Sequence, residues 1–199
     1  RWHHAPRALP WLWPFVRAGL PGQVDRIAAA LQPLVSQAMV AHRALAALTK
    51  RGPDEQSFTD SGQAFFGHTR LSVIDLATGA QPMLTSDGRY TLVFNGEIYN
   101  FRELRRELAA QGVVFATRSD SEVLLHGYIA WGRELLPRLD GMFAFAVWDR
   151  DSRRLFAARD RLGIKPLFLA RGANGWAFAS ELKALRPVVG TPQVNPRAL

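Results

Sequence analysis

Several residues of this sequence carry groups that could bind a ligand, among them Arg70, the Asn95-Gly96-Glu97 run and Asp120. A guanidinium is a planar, permanently charged donor for carboxylates, whereas carboxylates hold ammonium groups. Taken alone, however, each position also has an ordinary structural explanation. Asn-Gly is typical of a turn, an acid is typical of the first turn of a helix, and arginines commonly form surface ion pairs. Single positions therefore assign no function.

Cysteine chemistry is excluded for the sequence as given, because none of the 199 residues is cysteine. Disulfides, thiolate metal sites and thiol nucleophiles are thereby ruled out. The five histidines are the pair His3-His4 and the isolated His42, His68 and His126. No acid or thiol near them completes the spacing of a metal site, so we expect no metal in this chain.

The formal net charge of +8 is concentrated at the start of the chain. Residues 1–50 hold six Lys or Arg against one Asp, which leaves +3 for residues 51–199. The arginines of this second part alternate with acids, as on a solvated helix face, so we expect no nucleic-acid partner. The apolar stretch from Leu9 to Leu20 is broken by prolines and is shorter than the roughly 18 residues of a membrane span. We expect no membrane insertion and a cytoplasmic protein.

The elements that must position these residues begin after an irregular segment. Residues 1–22 are rich in Trp, Pro, Arg and His without a helical or strand period, and we interpret them as a basic arm. Residues 23–48 place apolar side chains at helical spacing, interrupted by Pro33, which indicates one kinked helix or two short ones. The run Arg51-Gly52-Pro53-Asp54 then ends the helix with turn residues.

Short apolar runs and two helical patterns follow. One helix is expected from Asn100, as its cap, to Gly112; a second opens with the capping-box pattern Ser119-Asp120-Ser121-Glu122 and ends at Trp131-Gly132. Met142–Trp148 is apolar at every position, as in a strand covered on both faces. The other predicted strands are Phe65–Ile74, Arg89–Phe94 with a turn at Asn95-Gly96, Val113–Thr117, Leu155–Ala158, Leu167–Ala170 and Trp176–Ala179. This order predicts a layered α+β domain with mainly antiparallel sheets.

Six blocks of sequence, in one order, carry a resemblance to a known family. They are RGPD (51–54), GHTRLSVID (67–75), FNGEIYN (94–100), SDSE (119–122), LDGMFAFA (139–146) and ARDRLGIKPL (158–167). Together they resemble the glutaminase domain of glutamine-hydrolysing asparagine synthetase, a class-II glutamine amidotransferase. The resemblance assigns residues 23–199 to this domain and is clear from about residue 46. It implies an αββα sandwich of two mainly antiparallel sheets, of the N-terminal-nucleophile type.

The resemblance also implies catalytic positions. Asn95, through its side-chain amide, and Gly96, through its backbone N–H, take the family's places for donors to the oxyanion of a tetrahedral intermediate. We interpret Arg159-Asp160 and Lys165-Pro166 as a structural turn network or a domain contact.

For the binding of glutamine itself, the resemblance implies a second group of positions. Arg70 takes the place that binds the α-carboxylate, and Asp120 with Glu97 the places that bind the α-ammonium group. Val73 and Ile74 would add backbone contacts.

The family begins with a nucleophilic cysteine whose own α-amino group acts as the base, in a start of the type Cys-Gly-Ile-Ala-Gly. This sequence has no such start, and the internal Ser36 and Thr49 carry no free amine. A wrong start, a frame error and true degeneration would each explain the difference. We expect a substrate-shaped pocket without glutaminase turnover, and we hypothesise that Leu12–Val16 fills the place of the missing strand.

The sequence also lacks the motif that marks the synthetase half of the family. No Ser-Gly-Gly-x-Asp-Ser pyrophosphate loop occurs before Leu199, so we expect ATP and magnesium to bind only to a synthetase domain or subunit. In the leading interpretation the chain supplies ammonia from L-glutamine for amidation of aspartate or a similar carboxylate, and is inactive as written. The alternatives are an inactive glutamine-binding or regulatory docking module and a basic interaction protein that uses its arm. The acceptor and the oligomeric state stay open.

Overall fold

The computed structural model describes residues 40–52, 55–61, 63–70, 80–172 and 175–190. The predictions for the arm at residues 1–22, for the first part of the helical segment and for the end of the Phe65–Ile74 strand lie outside these residues. Residues 40–46 are helical and a 3-10 helix follows at Thr49–Arg51, so the last part of the helical segment is confirmed. No helix in the described part is long and apolar enough to cross a membrane.

Eight strands in the described part of the chain pair antiparallel throughout. The first two and the last two form hairpins, and the middle four form a sheet in the order β3-β4-β5-β6. The strands are β1 Glu55–Asp60, β2 Phe65–Arg70, β3 Met83–Leu84, β4 Tyr90–Ile98, β5 Gly141–Asp149, β6 Arg154–Arg159, β7 Phe168–Gly172 and β8 Gly175–Ala179.

β5 lies in the interior of the four-stranded sheet, and every residue from Phe143 to Asp149 is buried. Because side chains of a strand point alternately to opposite faces, such a strand must be covered on both. The register sets Phe94 opposite Phe145 on one face and Val93 opposite Ala146 on the other. The predicted covered strand at Met142–Trp148 is therefore confirmed.

Helices cover the first face of this sheet. Helix α1 (Phe101–Ala110) buries Leu104 and Leu108, and helix α2 (Asp120–Trp131) buries three consecutive apolar residues, so both contribute to one core with the sheet. A 3-10 helix at Gly132–Arg138 follows α2 and adds the fully buried Leu135.

Hairpins cover the second face. Phe66 of β2 packs with Val93 and Trp148 of the sheet, and Phe178 of β8 packs against the same cluster. A further helix, α3 (Leu182–Val189), packs on the outer face of the β7–β8 hairpin. Gly172 permits this approach, because a Cβ there would lie 2.8 Å from the Val188 carbonyl oxygen. The layers run helix, sheet, hairpins, helix, which is the expected αββα order.

The predicted strand at Val113–Thr117 is wrong, since these residues form an irregular loop. The N–H groups of Ala116 and Thr117 each donate to the Glu122 carboxylate at 2.7 Å, and Arg105 donates to the Thr117 carbonyl oxygen. Side chains thus satisfy backbone groups that would otherwise need a neighbouring strand.

Both predicted helix caps occupy the cap position, but only one caps through its side chain. The Ser119 hydroxyl accepts from the Glu122 N–H at 3.2 Å, which confirms the start of α2. Asn100 precedes α1 without capping it. Its side chain instead donates to the Arg138 carbonyl oxygen at 2.8 Å and accepts from the Asp140 N–H at 3.1 Å. Asn100 therefore ties α1 to the segment before β5.

Replacing Glu122 with glutamine should lower the free energy of unfolding by about 2 kcal/mol. Glutamine offers one carbonyl oxygen, so its NH₂ group would face an N–H donor of the loop and leave it unsatisfied. Urea denaturation measures the loss. Glu134→Gln is the matched control, because its side chain is exposed and pairs only with the exposed Arg133, so its effect should stay within about 0.5 kcal/mol. Equal losses in the two variants would contradict the anchoring role of Glu122.

Candidate functional site

Side chains, instead of a strand, hold most of the β4 edge that faces away from β5. β3 pairs with β4 only at Thr91 and Leu92. Beyond that point the Phe94 N–H donates to the Gln81 side-chain oxygen at 2.6 Å. The Phe94 carbonyl oxygen lies 3.2 Å from His68 Nε2, which must donate because a carbonyl only accepts. Both backbone groups of Phe94 are therefore satisfied by side chains.

Gly96 lies between this anchored position and a second one. The Ile98 N–H donates to Asp120 Oδ2 at 3.1 Å. In an antiparallel strand, backbone groups of alternate residues point to the same edge, so Gly96 faces the same way as Phe94 and Ile98. Within the described residues, no hydrogen bond from the Gly96 N–H is found. One backbone donor is thus presented between two occupied positions.

The predicted turn at Asn95-Gly96 is wrong, since both residues lie inside β4, opposite Ala144 and Phe143. Glycine is required there for another reason. A Cβ on Gly96 would lie 2.1 Å from the Met142 carbonyl oxygen. Two glycines therefore let the strands approach closely at the site, because a Cβ on Gly141 of β5 would in turn lie 2.3 Å from the Glu97 carbonyl oxygen.

Asn95 contributes a second donor beside Gly96. By strand alternation its side chain lies on the hairpin face, with Val93. The Asn95 Nδ2 atom is buried and has no hydrogen-bond partner among the described residues. A buried amide donor without a partner normally costs about 1–3 kcal/mol, so its retention points to a ligand that satisfies it.

Asp120 brings a carboxylate to the same edge. It is the first residue of α2, and it is partly buried. Burial raises the pKa of Asp120 above its ordinary value, and the neighbouring Glu97 carboxylate raises this pKa further, whereas the hydrogen bond from the Ile98 N–H lowers it. A partly buried carboxylate beside a second acid is suited to a cationic group.

The structure brings together Asn95, Gly96, Glu97 and Asp120 of the predicted site residues. Arg70 ends β2 opposite Glu55. Its side chain, and the predicted Val73 and Ile74, lie outside the described residues. No group of three or more metal-ligating side chains occurs in the described part.

Two residues that contact the site were not predicted for it. Gln81 lies thirteen residues before Phe94, and only the fold brings its side chain to the Phe94 N–H. His68 belongs to the GHTRLSVID block, but no sequence pattern assigns its ring to the Phe94 carbonyl oxygen. Both contacts depend on long-range packing.

The Arg159–Pro166 segment forms a turn network around the buried Asp160, which is one of the two interpretations of its sequence. Asp160 is 6% exposed, and its carboxylate accepts from the N–H groups of Phe143, Ile164 and Lys165. These bonds, with that from Lys165 contributing most, lower the pKa of Asp160. A cavity of about 410 Å³ lies beside this loop, lined in part by Leu136 and Ile164, and it does not include the β4 edge.

Comparison with known proteins decides the family. A family model described as a glutamine amidotransferase domain matches residues 25–199. The chain belongs to this family. Among curated relatives of this amidotransferase domain, asparagine synthetase [glutamine-hydrolyzing] 3 of Bacillus subtilis is 44% identical over 181 residues, covering 90% of this chain and 28% of the relative. A putative asparagine synthetase of Mycobacterium tuberculosis is 53% identical over 157 residues, covering 74% and 24%. The chain thus spans about a quarter of the length of these relatives.

Solved structures agree with the fold. The glutamine phosphoribosylpyrophosphate amidotransferase of Bacillus subtilis is 23% identical with a TM-score of 0.58, and an allosteric regulatory enzyme of purine biosynthesis is 24% identical with a TM-score of 0.60. Each match covers 75% of this amidotransferase domain and 40% of the other chain. The αββα sandwich implied by the resemblance is therefore confirmed.

Asp120→Asn should make the amidotransferase domain more stable at pH 7. Because the folded-state pKa of Asp120 is raised, keeping the carboxyl ionised costs folding free energy above 3.8, the ordinary pKa, and this cost vanishes below that pH. Asparagine still offers an oxygen to the Ile98 N–H without the charge. The gain should therefore grow as the pH rises from 3.8 through the folded-state pKa, and urea denaturation at several pH values measures it. Asp140→Asn, at an exposed acid, controls for the loss of one negative charge. A gain that is the same at every pH would contradict this explanation.

Proposed function

We propose that this domain binds L-glutamine at the open position of the β4 edge and belongs to an asparagine synthetase-like ligase. The observation that carries the proposal is the Gly96 N–H without a partner in the described residues, with the unsatisfied Asn95 amide beside it and the Asp120 carboxylate two positions along the edge. The neutral donors fit the side-chain carbonyl oxygen of glutamine, and the carboxylate two positions along the edge fits its α-ammonium group. The family membership supports the same ligand.

Each polar group of glutamine has a proposed partner. The side-chain carbonyl oxygen accepts from Asn95 Nδ2 and the Gly96 N–H, which would also stabilise the oxyanion of a tetrahedral intermediate. The α-ammonium group binds Asp120 and Glu97, and the cation would bring the pKa of Asp120 back down.

The α-carboxylate of glutamine is assigned to Arg70, whose planar guanidinium can donate two parallel hydrogen bonds to it. Backbone contacts from Val73 and Ile74 complete the proposed pocket. The position of Arg70 at the end of β2 supports this assignment, because β2 packs against β4 through Phe66 and His68.

Without a thiol, the 199 residues should bind glutamine and release no ammonia. Hydrolysis in this class of site requires a nucleophile with a base close to it, and the sequence contains no cysteine. The same observation favours a second candidate function, namely a glutamine-binding or regulatory docking module that acts on a synthetase partner without hydrolysis.

The proposed partner is a synthetase domain or subunit. The relatives named as asparagine synthetases are about three times as long as this chain, so their remaining length provides room for such a domain. ATP and magnesium would bind there, and ammonia from glutamine would amidate aspartate or a similar carboxylate. This chain would supply the glutamine pocket only.

Isothermal titration of the chain with L-glutamine should detect binding, and Asp120→Asn should weaken it about 10–100-fold, because a charged hydrogen bond to the ammonium group is lost. The binding should also weaken as the pH falls through the pKa of Asp120, since the protonated carboxyl holds no cation. Asp140→Asn serves again as the charge control and should bind normally. Unchanged affinity in Asp120→Asn would remove this residue from the proposed pocket.

Ammonia release from glutamine should appear only after repair of the chain start. Replacing residues 1–22 with Cys-Gly-Ile-Ala-Gly supplies the thiol and its α-amino base, and the same start with Ser in place of Cys is the control. A coupled ammonia assay compares the unchanged chain, the chain with the Cys start and the chain with the Ser start, each shown to be folded. Absence of turnover in the chain with the new start, with glutamine bound, would favour the binding-module function over a glutaminase that lacks only its nucleophile.

A further inference from the structure

Gln81 occupies the place where a longer neighbouring strand would pair with β4. β3 begins at Met83, which pairs with Leu92, and Gln81 lies two residues earlier, where the same register would set it opposite Phe94. The next backbone donor on that edge is the Phe94 N–H, and Gln81 Oε1 accepts it at 2.6 Å. Gln81 is 8% exposed, so this hydrogen bond forms away from solvent.

Gln81 is itself held in place from the hairpin layer. The Ser57 hydroxyl of β1 donates to the Gln81 carbonyl oxygen, and His68 of β2 donates to the Phe94 carbonyl oxygen. The Phe94 peptide groups are therefore fixed from two sides, immediately before the Asn95 side chain and the Gly96 N–H.

A side chain does something here that a strand cannot do. A strand that satisfied Phe94 would continue the ladder and would pair with Gly96 two residues later, since alternate residues face one edge. One side-chain oxygen satisfies Phe94 alone and leaves Gly96 accessible. The β4 edge is thus fixed at Phe94, next to the site, while the Gly96 N–H at the site stays open to a ligand.

We propose that Gln81 is a positioning residue for the amide end of the glutamine pocket. This inference rests on the proposed function. Gln81 does not touch glutamine; it sets the direction of the Asn95 amide and the Gly96 N–H by fixing the Phe94 N–H, in the Val93–Phe94 peptide group. Its loss should therefore affect recognition of the side-chain amide of the ligand and leave recognition of its α-groups unchanged.

The test compares two ligands on the full chain by calorimetric titration or competition. L-Norvaline has the α-ammonium and α-carboxylate groups of L-glutamine and lacks the side-chain amide. Gln81→Leu removes the acceptor at similar volume, and it should weaken glutamine binding about tenfold with less than a twofold change for norvaline. Gln81→Glu keeps the oxygen acceptors and should retain most of the preference for glutamine.

Leu135→Ala is the control for a general loss of stability, because Leu135 is fully buried in the 3-10 helix at Gly132–Arg138, outside the proposed pocket. It should leave the ratio of the two affinities unchanged. A parallel fall of both affinities in Gln81→Leu, or an unchanged ratio, would overturn the positioning role.

A separate readout keeps this inference distinct from the proposed function. If the unchanged chain does not prefer glutamine to norvaline, the proposed function fails. The positioning of the edge can still be measured without ligand from the backbone amide ¹H–¹⁵N shifts of Phe94, Asn95 and Gly96. Gln81→Leu should shift all three and Gln81→Glu should restore Asn95 and Gly96 towards their original values, whereas unmoved Asn95 and Gly96 signals in Gln81→Leu would overturn the inference.

Discussion

The antiparallel pairing of β4 with β5 is the constraint on which the rest of this domain depends. The two strands match over nine residue pairs, from Tyr90 opposite Asp149 to Ile98 opposite Gly141. This pairing creates two covered faces, one for helices α1 and α2 and one for the hairpins. At its end, Gly96 and Gly141 allow the backbones to approach more closely than any side chain would permit. The same contact thus supports the core and places the site.

Two carboxylates in the first turn of α2 show how stability and function are divided. Glu122 accepts from two backbone N–H groups and the Thr117 hydroxyl, with Arg105 at 3.7 Å, so its charge is well compensated. Asp120 accepts from the Ile98 N–H, and burial and Glu97 both oppose its ionisation. Glu122 therefore stabilises the loop before α2. The ionised Asp120 is destabilised by its surroundings, and a bound cation would compensate its charge.

The parts of the fold that could be predicted from the sequence are those with a distinctive pattern of apolar residues. Met142–Trp148 is apolar throughout, so its place as a covered strand follows from the sequence alone. The Val113–Thr117 prediction failed because the inward Val113 and Phe115 produce the same alternation in a loop as in a strand. Helix α3 was not predicted, because it is short and contains Pro187, although its apolar side chains lie on one face.

At the site, the family resemblance identifies the residues, but the sequence does not determine their geometry. Asn95-Gly96 is typical of a turn, and only the partner strand shows that glycine is needed against Met142. Gln81 is polar, isolated in its segment and thirteen residues from its partner, so no periodicity connects the two. This contact follows from the pairing of β3 with β4, and Ser57 and His68 hold the position from the hairpin layer, neither of which a single sequence displays.

The narrowness of the open edge has a consequence for self-association. Exposed strand edges tend to recruit further strands, because a ladder can extend along several successive positions. In the described residues, β4 is bonded at Phe94 and again at Ile98, which leaves Gly96 alone between them. A second polypeptide strand would form one backbone hydrogen bond, at Gly96, and would collide with the side chains that occupy the positions on either side. This stretch of β4 can therefore present a backbone donor to a small molecule without offering a template for aggregation.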